Sequence, residues 1–450
     1  MQDTICAVST SLGVGAISII RVSGPDTIKI VNKVFDKNLD KEPSHTIHYG
    51  HIKNKDEIID EVLVMLMRSP RTYTREDVIE INCHGGIATT NKILELLLDS
   101  GCRLAEPGEF TKWAFLNGRI DLMQAESVMS LLEANNDKAR KVSINNLNGY
   151  GSKLIKNLRE DLVKLISNIE VNIDYPEYED IYEVTRNDIE KQIGGIKKKL
   201  ENIIYEYQDG RIISDGIKTV IVGRPNVGKS SLLNRLLNQE KAIVTDIPGT
   251  TRDIVEGDIL IDGIRLNMID TAGIRNTFDT VEQIGVNKSL ENIKDADLVL
   301  LLLNNNEELT GIDKDLIEAT EHKTTIIVVN KNDLETNLDV SNYGKRDIVY
   351  INTLNDEGII ELKNKIKELF NLERIDKSDF NYITNARQIS KIKECLKSVN
   401  DIIEGLDNDI PLDMLEIDLK SCWETLGLII GESYSEELLD QLFSKFCVGK

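Results

Sequence analysis

The spacing of apolar positions changes three times along the chain. In residues 1–118 short β-branched runs, AISIIRV (16–22) and DVIEINC (77–83), are punctuated by Gly and Pro, and NKILELLLDSG (91–101) has helical spacing with Gly101 as its stop. This predicts an α+β region. From Arg119 to Gly210 the period is that of long helices, as in LMQAESVMSLLEANNDKARK (122–141) and LIKNLREDLVKLISNIEVNI (154–173), with DYPEYED (174–180) read as a turn. From Lys218 the pattern switches to strand-length apolar runs separated by helical stretches: TVIVG, RLNMID, LVLLLL, TTIIVVN and DIVYIN, closed by the helix EGIIELKNKIKELF. That alternation predicts a doubly wound α/β unit on a mostly parallel sheet. After residue 372 the helical spacing returns in ITNARQISKIKECLKSV and SEELLDQLFSKF.

Helical sequence on both sides of a compact α/β unit predicts an insertion. The expected fold is therefore multidomain: an α+β N-terminal domain (1–118), a discontinuous all-α domain (119–214 and 373–450) and an inserted α/β domain (215–372). No internal repeat, heptad or low-complexity tract is visible.

Composition narrows the class without naming it. The chain has 450 residues, 41% hydrophobic and 29% charged, which suits an ordinary globular protein of two or three domains. Its longest apolar run, Leu298 to Leu303, is far short of a membrane span, and the N-terminus lacks an export-signal pattern, so a cytoplasmic protein is expected. The net charge of −22 disfavours indiscriminate binding to polyanions, although a local basic surface can still dock RNA. Cys6, Cys83, Cys102, Cys395, Cys422 and Cys447 form no C-x-x-C pair and are read as reduced thiols. His45, His48 and His51 sit on an extended segment where residues three apart face oppositely, which argues against a shared metal. Trp113 and Phe115 are read as core.

The chemistry lies in four ordered motifs. GRPNVGKS (223–230) follows the strand TVIV and opens the helix SSLLNRLLN, the context in which backbone N–H groups of Asn226, Val227, Gly228, Ser230 and Ser231 cradle phosphates. Lys229 reaches the β/γ oxygens and Ser230 supplies a magnesium ligand. TDIPGTTRD contributes Thr245, Asp246, Ile247, Pro248, Gly249, Thr250 and Thr251, with Thr251 assigned to close on Mg²⁺. DTAG contributes Asp270, Thr271, Ala272 and Gly273; Asp270 should hold the Mg²⁺ shell through water, and Gly273 should sense the γ-phosphate through its N–H. NKND supplies Asn330 for the base edge, the Lys331 stem for the base face and Asp333 for both guanine N–H donors. Adenine lacks those donors, so the set predicts GTP. Asn352 and Thr353 lie where a Ser-Ala-Lys-like loop usually meets the base; a backbone N–H there is expected to serve the base oxygen.

Together with IIRVSG (19–24), YTREDVIEINCHGG (73–86), EPGEFTKWAFLNGRIDL (106–122), DTAGIR and the terminal FCVGK, these motifs make the whole chain resemble the MnmE (TrmE) family, GTPases of bacterial and organellar tRNA modification. The resemblance implies a Ras-like G domain, a folate-binding N-terminal domain and a GTPase activated by potassium and by pairing of G domains. Ile274 stands where Ras-like proteins carry a water-aligning glutamine. The resemblance assigns K⁺ to Asn226, Thr245, Ile247 and Thr250, and water positioning to Glu282, so that Glu282, Lys229 and Gly273 form the catalytic set. From spacing alone, Asn226 equally reads as a turn cap and Glu282 as a solvated helix residue.

The same resemblance implies binding of 5-formyl- or 5,10-methylene-tetrahydrofolate by Arg21, Glu80, Arg119 and Lys450. A carboxylate suits the pterin edge, and basic side chains suit the glutamyl tail. Arg119 is commonly lysine in the family, and AVSTSLGVGA (7–16) replaces a Pro-Pro-Gly-Arg-Gly-Gly-like segment. Cys447 reads either as a reactive thiol or as a packed terminal residue. Implied partners are tRNA, the flavoprotein MnmG and a second copy of the chain, the dimer then forming a heterotetramer with MnmG, with no membrane role. Without the resemblance, a ribosome-assembly switch with no covalent chemistry also accounts for the nucleotide motifs.

Overall fold

In the computed structural model, residues 3–174, 186–238, 258–269, 291–343, 346–376 and 379–450 are described. The chain begins with a six-stranded sheet in the order β3-β4-β5-β2-β1-β6, formed by β1 (Ile5–Val8), β2 (Ile17–Ser23), β3 (Thr46–Asn54), β4 (Glu57–Met67), β5 (Val78–His84) and β6 (Arg103–Leu104). It is antiparallel except where β1 runs parallel to β6. Helices α1 (Thr27–Val34) and α2 (Ile87–Asp99) cover one face, and Ile20, Val22, Val64, Ile79 and Ile81 alternate into the core beneath them. The α+β reading holds here.

Helix α3 (Glu109–Leu116) leads into α4 (Leu122–Glu133) and α5 (Asp137–Leu147). The long helix read across 122–141 is thus two. Asn136 ends the run by accepting from Ala139 N at 2.7 Å, a cap that fixes a new helix start. Beyond it run α6 (Tyr150–Asp174) and α7 (Arg186–Asp215). The turn read at 174–180 lies largely outside the described residues.

The α/β unit follows: β7 (Ile217–Val222), α8 (Lys229–Asn238), β8 (Ile259–Ile261), β9 (Ile264–Met268), β10 (Leu298–Asn304), α9 (Gly311–Ala319), β11 (Thr325–Asn330), β12 (Asp347–Tyr350) and α10 (Ile359–Leu369). Strand order is β12-β11-β10-β7-β9-β8, parallel except for the β8–β9 hairpin. β10 is buried along its whole length because its two faces serve two cores. Leu298, Leu300 and Leu302 pack under α8 and α10, while Val299, Leu301 and Leu303 pack under α9. The order reverses between β7 and β10, so the crevice at their carboxyl ends is where a ligand of such a sheet sits.

After α11 (Leu372–Asp376) the chain returns to the helical layer with α12 (Ala386–Asp407) and α13 (Leu412–Ile430). One core joins α6 and α7 to α12 and α13 across the insertion. Although no heptad is legible by eye, the buried positions on α7, Ile189, Ile193, Ile196, Leu200 and Ile203, alternate spacings of four and three. That spacing packs the helices as a bundle. Two cysteines meet in this core: Cys395 and Cys422 are joined as a disulfide with Cα atoms 4.8 Å apart. This corrects the reading of all six as free thiols. The bridge joins consecutive helices through cysteines 27 residues apart in sequence, a separation with no local signature. Helix α14 (Glu436–Phe443) and Phe446 leave the bundle and pack on Ala114, Phe115 and Leu122. Among the described residues no helix is long and apolar enough to cross a membrane.

A buried ion pair fastens the two halves of the helical layer. Glu126 on α4 accepts from Arg387 Nε at 2.7 Å and from its second terminal nitrogen at 3.0 Å, and Arg387 also donates to the carbonyls of Leu428 and Ile429. Replacing Glu126 by Ala strands the guanidinium, and we expect a loss of about 3–5 kcal/mol. Urea denaturation followed by circular dichroism measures it, with Glu126→Gln falling between the two.

Candidate functional site

The phosphate loop leaves β7 at Gly223 and enters α8 at Lys229. Its shape is fixed by backbone conformations that few residues tolerate. Gly223 has φ 153° and lies so close to β10 that a Cβ would stand 2.5 Å from Leu302 O; Gly228 has φ 101° and a Cβ there would stand 2.4 Å from Asn330 Nδ2. Asn226 holds φ 62° and is exposed, whereas Val227 is buried. The Lys229 ammonium folds back into this ring, donating to Gly223 O at 2.7 Å and Arg224 O at 2.8 Å. Burial lowers its pKa, because the charge has lost water that only backbone carbonyls replace. Incoming phosphate oxygens would supply the missing counter-charge. Ser230 stands on the first turn of α8, with the helix N-terminus behind it.

The base-reading loop begins where β11 ends. Asn330 is buried, donating through Nδ2 to Val227 O at 2.9 Å and accepting at Oδ1 from Thr353 N at 3.2 Å. These bonds tie the phosphate loop, the NKND loop and the loop after β12 into one piece. The Asn330 amide thus holds the loops together through one of its two N–H groups and its oxygen, which leaves its second N–H for a base edge. Within the loop after β12, Asn352 N donates to Glu357 O and Leu354 N to Asn352 Oδ1. Arg235 of α8 clamps this loop by donating to Thr353 O at 3.0 Å. Lys331 has φ 63°, and Asp333 is exposed beside it. Thr245 to Thr251, Asp270 to Gly273, Ile274 and Glu282 lie outside the described residues.

A second cluster surrounds the C-terminal tail. Arg21 on β2 and Glu80 on β5 are register partners, and the guanidinium meets Glu80 Oε1 through Nε at 2.9 Å and a terminal nitrogen at 2.8 Å. Arg21 also donates to Gly449 O at 3.0 Å, and its guanidinium lies 5.6 Å from the ring of Tyr73 and 5.5 Å from that of Phe110. Arg119 covers Tyr73 from 4.7 Å. The tail is pinned by Ser9 Oγ donating to Gly449 O and Phe110 N donating to Lys450 O. All four residues expected here converge, but Glu80 is already engaged by Arg21 rather than offered free. Cys447 is exposed, which removes the packed alternative. Trp113 and Phe115 are buried, as read. Tyr73 and Phe110 were missed; each lies within a phrase that marked the family, and only the fold turns their rings toward Arg21.

A β7–loop–α8 cradle with its lysine in place, joined to a carboxylate-bearing base loop at the switch point of a parallel sheet, defines a phosphate-loop GTPase. Residues 122–447 match the MnmE helical domain and residues 4–119 match the GTP-binding protein TrmE N-terminus. The tRNA modification GTPase MnmE of Bacillus velezensis is 50% identical, and that of Bacillus subtilis 49%, each over 100% of both chains. The G domain of the T. maritima FeoB iron transporter is 28% identical over 34% of this chain and 97% of that one, with a TM-score of 0.25. The chain belongs to the tRNA modification GTPase MnmE family.

Gly228→Ala tests the cradle directly. The added methyl cannot coexist with Asn330 Nδ2, so GTP affinity should fall at least about tenfold while the fold survives, since strain of this kind costs roughly 1–3 kcal/mol. Titration with a fluorescent GTP derivative alongside a thermal melt checks both halves.

Proposed function

We propose that this GTPase drives modification of the 5-position of the wobble uridine in certain tRNAs, adding an aminomethyl or carboxymethylaminomethyl group together with the flavoprotein MnmG. Family membership over the full chain supports the reading, and the single observation that carries it is the presence of both clusters in one protein: the lysine-bearing cradle, and the Arg21–Glu80–Tyr73–Arg119 wall against the tail.

In the G unit, Lys229 neutralises the β- and γ-phosphates, and Asp333 selects guanine. Mg²⁺ would be held by Ser230 and Thr251 and, through water, by Asp270. K⁺ would take Asn226, whose exposed position on the loop crest suits a cation ligand, with Thr245, Ile247 and Thr250. A monovalent cation there offsets charge that develops on the phosphates, the role an inserted arginine fills elsewhere for roughly 10³–10⁵ in rate. Glu282 would orient the water that Ile274 cannot.

The tail cluster fits a reduced folate. The half-buried Tyr73 ring suits a planar pterin, and the exposed Arg119 and the nearby Lys450 suit its anionic tail. Bound there, the folate would supply the one-carbon unit. Arg21 holds Glu80 in place and ties it to Gly449, so the tail forms one side of the site. The functional units are residues 1–118, the paired segments 119–214 and 373–450, and 215–372. We further propose a homodimer formed through the N-terminal unit, joined by MnmG as a heterotetramer in the cytoplasm.

GTP turnover should be much faster in KCl than in NaCl at equal ionic strength; equal rates in a phosphate-release assay remove the potassium step. Nucleoside mass spectrometry of tRNA from cells lacking the protein should show unmodified wobble uridine. Unaltered modification would favour an assembly switch without covalent chemistry.

A further inference from the structure

Behind the phosphate loop lies a polar network that nucleotide contact alone does not explain. The Arg224 side chain turns away from the loop crest to form an ion pair with Glu307, and its Nε lies 3.5 Å from Asp313 Oδ2. Each acidic partner is itself held. Asn304, at the end of β10, donates to Glu307 Oε1 at 2.8 Å, and Asp313 caps α9 by accepting from Thr310 N at 3.0 Å and Thr310 Oγ1 at 2.7 Å. Arg224 also presents the carbonyl on which the Lys229 ammonium rests. The line from Glu307 to Arg224 to Lys229 is continuous.

The network is strung tightly enough to leave polar atoms unmatched. Among the described residues, Arg224 Nε, Asn304 Oδ1 and Asp313 Oδ1 are buried without a hydrogen-bond partner. Leaving such atoms unpaired costs stability, and sites that tolerate it cluster where geometry serves function. The Asn304 amide, against a small desolvation cost and with Arg224 and Lys331 adding positive charge, holds the Glu307 carboxyl below its usual range, so it is anionic at neutral pH. Lys331 belongs to the base-reading loop, which places Glu307 under the influence of both ends of the nucleotide.

We propose that Glu307 is a positioning residue of the nucleotide site, anchoring Arg224 so that the carbonyls of Gly223 and Arg224 hold Lys229 where phosphates arrive. The inference rests on the nucleotide reading above. Without Glu307, Arg224 keeps, among the described residues, only the longer contact to Asp313. The loop carbonyls then lose their anchor, and Lys229 must be oriented at the expense of binding.

The test uses the full chain and fluorescent GDP and GTP derivatives. Glu307→Ala should weaken both nucleotides by about tenfold, the scale of one charge-assisted hydrogen bond. In hydrolysis assays KM should rise with kcat retained, because the ground-state cradle is loosened rather than the attack on phosphorus. Glu307→Asp should recover part of the affinity. In an Arg224→Ala background the same substitution should change affinity less than about twofold, since the partner is already gone. Affinity unchanged in Glu307→Ala, tighter binding through a freed Arg224, or an undiminished effect in the Arg224→Ala background would each overturn the proposal. A thermal melt accompanies every variant, and the isosteric Glu307→Gln carries the test should the alanine form fail to fold. Lys229→Ala serves as the separate control. If it binds nucleotide as tightly as the natural chain, the nucleotide reading itself fails, whatever Glu307 does.

Discussion

The amide of Asn330 is the constraint on which the nucleotide site depends. One side chain, buried at the end of β11, donates to the phosphate loop and accepts from the loop after β12. Three segments, the first more than a hundred residues before the other two, are thereby held at fixed separation, and a nucleotide needs its phosphates and its base received at one distance. The parallel sheet makes this possible by ending β7, β10 and β11 at one edge. The two glycines of the loop let Asn330 and Leu302 approach to distances that any side chain would block.

Around that piece two largely buried ion pairs are held in multiply bonded arrangements. Glu126 with Arg387 locks the helical layer, and Arg21 with Glu80 braces the tail against the sheet. In both, one guanidinium meets a carboxylate and backbone carbonyls together, which satisfies its donors and limits the desolvation cost that makes isolated buried pairs poor stabilisers. Surface pairs such as Lys92–Glu95 and Arg140–Asp137 join neighbours one helical turn apart and contribute little to the tertiary fold.

What the sequence discloses follows the range of the interaction. The phosphate loop was readable because its glycines, lysine and serine act within eight residues, and the strand–helix alternation because burial of both faces of β10 leaves an unbroken apolar run. The insertion was readable because helical spacing resumes after it. Long-range partnerships were not. The motif marks Asn330 as a base contact but says nothing of the bonds its amide makes to Val227 and Thr353. Glu307 sits in an unremarkable polar stretch, and nothing between Cys395 and Cys422 announces that two helices will bring them together. The break between α4 and α5 escaped notice because Ala134, Asn135 and Asn136 interrupt the helical period only briefly, and a capping amide is a single residue.

Helix α7 has a mechanical consequence. It runs for 30 residues, about 45 Å, and gives way to β7 through Gly216 alone, so the strand that carries the phosphate loop is tethered directly to the end of a long rod. A tilt of about 5° at the strand end displaces the opposite tip of such a rod by roughly 4 Å. The same rod carries one wall of the bundle core, so its neighbours α6 and α12 must either slide with it or resist. Chemistry on a phosphate can therefore register far away as leverage, with the gearing set by the length of one helix.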